Sequence, residues 1–129
     1  MLRKLLLTVA ALMLVACANT KPVYNATDTA FPVALTQSQA QESIVKALQY
    51  KRWRIVESSE DRIIAEIHVR THYAKIEIDY TANGYSIRYL DSDNLDYNAS
   101  SNVIHRNYNK WIQLLETEIG NRAAMVGLN

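Results

Sequence analysis

A chain of 129 residues has room for one modest domain once any targeting segment is set aside. Fourteen basic residues against thirteen acidic ones give no reason to expect a nucleic-acid partner, and no polybasic run marks an anionic lipid surface. With one cysteine and three glycines, the chain has no intramolecular disulfide and no glycine-rich phosphate loop.

The first residues read as a targeting segment. Arg3 and Lys4 form a short positive start, and Leu5 to Val15 is an apolar run broken only by Thr8. That run is short for a bilayer span and has the length of a signal-peptide core. It ends in Leu14-Val15-Ala16-Cys17, which resembles the lipobox of bacterial lipoprotein precursors. The resemblance implies that small residues before the cut fit the peptidase groove and that the thiol of Cys17 would be the nucleophile that takes the diacylglyceryl group. Acylation of the new amino terminus adds further chain, and two or more chains give stable anchoring, at roughly 0.8 kcal/mol per buried CH2. A non-lipidated signal peptide with a coincidental cysteine, or a short membrane anchor, is the alternative. Lipidation would also consume a thiol that has no intramolecular partner. In bacteria that sort by the next position, an Asp there favours the inner membrane. Ala18 therefore implies, by resemblance, the periplasmic face of the outer membrane.

Cleavage after residue 16 leaves 113 residues, with 12 basic against 13 acidic side chains. Residues 17–34 are expected to be the lipidated terminus and a tether, with Phe31 and Val33 pinning its end to the fold. The domain is expected over residues 35–123, followed by a flexible tail over 124–129.

Thr36-x-x-Gln39 fits a capping box, and Leu35 is placed to staple onto Ala40. Ala40, Ile44, Ala47 and Leu48 then recur at helical spacing, predicting an amphipathic helix to about Tyr50. Four strands follow. Trp53 to Glu57 alternates weakly. Ile63, Ala65, Ile67 and Val69 share one face, with Glu66, His68 and Arg70 opposite. Ala74, Ile76, Ile78 and Tyr80 repeat the pattern. Asn83-Gly84 predicts a two-residue hairpin turn that sets Tyr80 opposite Ile87, Ile78 opposite Tyr89 and Asp79 opposite Arg88. A second turn at Thr71-His72 would pair Ile67 with Ile76 and Glu66 with Glu77. After a polar loop from Asp91 to Asn102, the residues Ile104, Tyr108, Trp111, Ile112, Leu115 and Ile119 keep one helical face. Ser101 or Asn102 is its expected cap, and Gly120 its fraying end. The predicted fold is α+β: a two-layer sandwich of order α-β-β-β-β-α, with an antiparallel sheet and two helices on one face.

Catalytic and metal signatures are weak. His68 falls on the charged sheet face, His72 beside a turn and His105 in the first turn of the last helix, so His68 and His105 are not expected to converge. Neither an HExxH motif nor cysteine ligands support a metal site. Asp91-x-Asp93-Asn94-x-Asp96 has the look of a calcium loop, but Asp96 stands where an EF-hand needs Gly and Asn102 where it needs Glu. Local side-chain-to-backbone turns are the better reading. No GxSxG elbow is present. Neither a cofactor nor a catalytic residue is expected. Tyr80, Tyr85, Tyr89, Tyr108 and Trp111 are expected in the core. Tyr73 instead shares the outer face with His68, Arg70 and Arg88, which makes that face the candidate partner-docking surface.

The stretch Tyr85-Ser-Ile-Arg-Tyr89-Leu-Asp91-Ser-Asp-Asn94-Leu95, continuing through Ile104-His-Arg-Asn-Tyr108-Asn-Lys-Trp111-Ile112, resembles the end of small lipoproteins of proteobacteria. The resemblance covers about Thr36 to Arg122, plus the signal. It implies a compartment and an architecture but no reaction. Asp91, Asn94, His105, Asn107 and Asn109 are expected to brace the loop against the helix start. The leading expectation is a non-catalytic envelope lipoprotein that binds another envelope protein. A binding module for a small molecule or glycan, with a pocket at Arg88, Asp91 and His105, is the alternative, and a hydrolase with an unfamiliar site is a third.

Overall fold

The apolar alternation in the middle of the chain builds a sheet, and the two periodic segments flanking it build helices that cover one face. A computed structural model describes residues 19–128; the signal segment, Cys17 and Asn129 lie outside the described residues. In chain order the elements are β1 (Thr20–Pro22), β2 (Ala26–Ala30), α1 (Gln37–Tyr50), β3 (Arg54–Ser58), β4 (Arg62–Val69), β5 (His72–Tyr80), β6 (Gly84–Asp93), β7 (Val103–His105) and α2 (Arg106–Val126). The fold is α+β. Its main sheet has five antiparallel strands in the order β2-β6-β5-β4-β3, and β1 pairs with β7 in a separate two-stranded sheet.

The sheet contributes Ile63, Ala65, Ile67, Ala74, Ile76, Ile78, Tyr80, Tyr85 and Ile87 to a single buried cluster. Helix α1 adds Ala40, Ile44, Ala47 and Leu48, while α2 adds Tyr108, Ile112, Leu115, Ile119 and Ala123. These are the i, i+3, i+4 positions of each helix. A fully buried Leu or Ile contributes about 1.5–3 kcal/mol, so this face is what fixes the fold. Helix α1 starts as its sequence dictates: the Thr36 side chain accepts from the Gln39 N–H, and the Gln39 side chain accepts from the Thr36 N–H.

Both hairpin registers differ from the sequence expectation by two residues. Tyr80 faces Tyr85, Ile78 faces Ile87 and Ile76 faces Tyr89, so the turn is centred on Ala82-Asn83. A shift of two leaves every side chain on its expected face, which is why alternation alone does not detect it. Two local features set the observed turn. The Thr81 hydroxyl accepts from the Asn83 N–H at 3.1 Å. Gly84 is not a left-handed turn residue at all. A Cβ there would sit 2.5 Å from the Thr29 carbonyl oxygen, so it is glycine because β2 lies against it. At the other hairpin the turn is Arg70-Thr71, with Arg70 at φ 58°, and Val69 faces His72. Glu66 then opposes Lys75 rather than Glu77, which removes the expected like-charge conflict.

Three further expectations need correction. Thr20–Pro22 and Ala26–Ala30, expected within a tether, form β1 and β2. Each is held by pairing along one edge, β1 with β7 and β2 with β6, so this segment needs no apolar alternation of its own. The last helix begins later and ends later than expected. Ile104 belongs to β7, and the cap is His105, whose Nδ1 accepts from the Asn107 N–H at 3.1 Å. Helix α2 continues past Gly120 to Val126, because Ala123 and Val126 extend its buried stripe. The tail expected from residue 124 is therefore partly helical.

Candidate functional site

The outer sheet face is where the sequence placed Tyr73, His68, Arg70 and Arg88. It carries two chains of paired charges. In the first, Arg54 pairs with Glu66, and the Tyr73 hydroxyl donates to the second oxygen of Glu66 at 3.0 Å. The Arg54 guanidinium, helped by the Tyr73 hydroxyl, holds the Glu66 carboxyl below the usual carboxylate range. Burial, with Glu66 beside it, pushes the Tyr73 hydroxyl up. His68 lies against the Tyr73 ring, with centroids 4.8 Å apart. In the second chain, Arg88 donates to Glu77 at 2.9 Å and reaches Asp79 at 2.6 Å, while Arg62 pairs with the other oxygen of Glu77. Hydrogen bonding from Arg88, aided by Arg62, lowers Glu77. Ile64 lies on this same outer face, 7 % exposed, between Glu57 and Glu77 in the strand register.

The structure therefore brings His68 and Tyr73 together, places Arg88 on the same face but four residues further along beside Glu77, and separates Arg70 from all three. Arg70 sits in the β4–β5 turn at the end of the sheet, where it has no ion-pair partner among the described residues.

That end gathers residues that the sequence left apart. The rings of His72 and His105 stack with centroids 6.4 Å apart. His72 Nδ1 donates to the Asn94 carbonyl at 2.6 Å, and the Asn94 amide donates to the Thr71 hydroxyl at 2.7 Å. The backbone N–H of His105 donates to the Leu95 carbonyl at 2.7 Å, which ties the long loop to the helix start. The four-residue spacing of His68 and His72 is not a metal pair, because a tight turn sends the two rings to different neighbours. Among the described residues no group of three or more His, Cys, Asp and Glu could hold a metal ion. Asp91 to Asp93, expected to open the loop, instead extend β6, where they pair with Lys75, Ala74 and Tyr73 beyond a register shift; the loop that remains, residues 94–102, makes local turns. Asn94, Asp96 and Asn102 adopt positive φ, and the Asp91 and Asn98 side chains accept from the Ser92 and Ser101 N–H groups.

Asn109 was expected to brace the loop. It grips the N-terminal segment instead: its amide donates to the Pro22 carbonyl at 2.9 Å and its oxygen accepts from the Tyr24 N–H at 3.0 Å. The Tyr24 hydroxyl donates to Glu116 at 2.6 Å, and that bond pushes its pKa up to about 12.

At the opposite end of the strands lies a hollow of about 470 Å³, lined by Asp28, Asp61, Asp79, Tyr80, Thr81 and Ser86 among others. Arg88, Asp91 and His105 line neither it nor the smaller cleft beside Phe31 and Gly120. No sequence signal marked the hollow, because Asp28 belongs to a strand that alternation did not reveal.

No helix among the described residues is long and apolar enough to cross a membrane. No protein-family model matches this sequence, and no curated protein matches it.

Proposed function

We propose that this chain is a lipoprotein anchored through Cys17 to the periplasmic face of the outer membrane, with a non-catalytic domain that binds another envelope protein. On this reading it is one of the small proteobacterial lipoproteins that its C-terminal segment resembles. The observation that carries the proposal is the run of a positive start, a short apolar core and Leu14-Val15-Ala16-Cys17. The outer face of the sheet supports a docking role: the half-buried Tyr73 and the exposed His68 lie against each other near one end of it, and the exposed Arg88 stands further along the same face.

Two measurements test it. The mass of the mature protein should show cleavage before Cys17 and the added lipid; an unlipidated mature protein overturns the anchor. Photoreactive residues at Tyr73 and Arg88 should crosslink one specific envelope protein; repeated recovery of none overturns the docking role. A second reading, a binding module for a small molecule or glycan, is supported by the hollow at Asp28, Asp61 and Asp79, whose volume is in the range of small-ligand sites. Chemical shifts of Ser86 and Thr81 that stay unmoved by envelope glycans would remove it.

A further inference from the structure

We propose that the end of the domain formed by Asn19, the β4–β5 turn and the start of α2 rests against phospholipid headgroups, so that the hollow at the other end points away from the membrane. The inference rests on the lipid anchor at Cys17 proposed above and adds an orientation to it.

The argument begins with how little chain lies between lipid and fold. An eighteen-residue flexible tether would give the domain a root-mean-square reach of about 23 Å and no preferred face. The fold instead takes hold of the chain at Asn19. The Asn19 carbonyl accepts from the Arg106 N–H at 2.9 Å, at the first residue of α2. Thr20, Lys21 and Pro22 then pair with His105, Ile104 and Val103. Val23 N–H donates to the Asn102 carbonyl at 3.0 Å, Asn109 clamps Pro22 and Tyr24, and the Asn25 side chain accepts from the Tyr89 N–H at 3.0 Å. Only Ala18 separates Cys17 from this clamped segment. Two residue steps span at most about 7 Å, so the acylated residue lies within that reach of Asn19.

What lies around Asn19 is therefore held at the bilayer surface by covalent attachment. Backbone and ring contacts place the Arg70-Thr71 turn, His72, Asn94, His105 and Arg106 at this end. By strand register and neighbouring backbone bonds, Lys21, Arg70 and Arg106 stand there against Asp93 and Asp96, a nearly balanced set. Charge is not what brings this surface to the headgroups. The tether does so by raising the effective concentration of one end of the domain at the membrane.

The strands set the height of the rest. β5 runs nine residues from His72 at this end to Tyr80 at the other, about 30 Å at strand rise. The β5–β6 turn and the hollow lined by Asp28, Asp61 and Asp79 lie there, on the side away from the lipid.

The test uses full-length lipidated protein in vesicles of phosphatidylethanolamine and phosphatidylglycerol. Because lipid occupies Cys17, a second cysteine is the sole labelling site. Arg106→Cys and Asn83→Cys place a fluorophore at the two ends, on exposed side chains, and nitroxide on the lipid headgroups quenches it. Quenching should be several-fold stronger at position 106 than at 83. Inserting about twelve Gly and Ser residues between Ala18 and Asn19, with a reach of roughly 19 Å, should bring the two positions close to equal. Equal quenching without the insertion, or a difference that the insertion leaves intact, overturns the orientation. The mass of the same preparation separates the two proposals: a missing lipid sinks the anchor, whereas lipidated protein with equal quenching sinks only the orientation.

Discussion

Replacing Gly84 by Ala tests the reason for the observed hairpin register. A Cβ at position 84 would stand 2.5 Å from the Thr29 carbonyl oxygen, 3.2 Å from its carbon and 3.3 Å from the Ala30 Cα. All three are backbone atoms of β2, so no side chain can rotate out of the way. Restoring an ordinary contact requires β2 to retreat by roughly 1 Å, and overpacking of this kind costs about 1–3 kcal/mol. The φ of Gly84 is not positive, so alanine also stiffens the unfolded chain, a gain of about 0.4–1 kcal/mol. The net loss is then about 1–2 kcal/mol, or a melting temperature lower by roughly 4–10 °C for a domain of this size. Urea melts followed by tryptophan fluorescence give the number, and amide exchange should show faster opening at Thr29 and Ala30. Gly84→Asn separates the two explanations for this glycine. A left-handed turn position tolerates asparagine, whereas close approach of β2 rejects it as it rejects alanine. An alanine variant as stable as the parent, or an asparagine variant clearly better than the alanine one, would refute the close-approach account.

Four other outcomes follow from the same structure. Gly120→Ala should raise stability by roughly 0.5–1 kcal/mol in a thermal melt, because the residue is inside α2 and its Cβ would meet nothing within 4 Å; a lower midpoint would contradict a helix continuing past Gly120. Tyr24 has its pKa raised from 10.0 to about 12, so its contribution is complete below pH 10 and fades as pH rises through 12. The stability gap between the parent and Tyr24→Phe should hold steady to pH 10 and close by about pH 12, and a gap unchanged at pH 12 would sink the Glu116 bond as its source. Tyr108→Phe removes a buried hydroxyl that has no partner among the described residues, so urea melts should find stability unchanged within about 1 kcal/mol or raised; a loss above about 2 kcal/mol means the hydroxyl is satisfied. Asn109→Ala should speed amide exchange at Lys21 and Tyr24 while β4 and β5 keep their protection, and uniform loss of protection would show that the clamp does not open separately.

What the sequence made legible follows from where side chains pattern the backbone. The core of β4, β5 and α1 was readable because Ile63, Ile67, Ile76, Ile78, Ile44 and Leu48 repeat at strand or helix period. The register was not, since a slip of two preserves that pattern. Its determinants are a threonine hydroxyl, a positive φ at Arg70 and a steric limit at Gly84. Strands β1, β2 and β7 escaped because Thr-Lys-Pro, Ala-Thr-Asp-Thr-Ala and Val-Ile-His are too short, or too polar, to alternate. Long-range partners hold them in place. The same gap hid two features of the candidate site, the hollow beside Asp28 and the proximity of His72 to His105.

The outer face gains meaning from its ion pairs. Each is exposed on at least one side, and exposed pairs contribute about 0–1 kcal/mol, so Arg54, Arg62 and Arg88 can exchange their carboxylate partners for those of another protein at small cost. Their other task is steric. Ile64 is 7 % exposed on the sheet face that neither described helix covers, and its register neighbours there are Glu57 and the ion-paired Glu77. A partner that drew the arginines aside would uncover Ile64 and could bury it again, adding an apolar contact at the centre of a charged rim. Strands β4 and β5 run from the lipid-proximal end to the hollow, so in the proposed orientation this face stands upright on the membrane rather than facing it. A partner would then meet it from the side, and Ile64→Asp should abolish the crosslink from Tyr73 while leaving the lipid anchor intact.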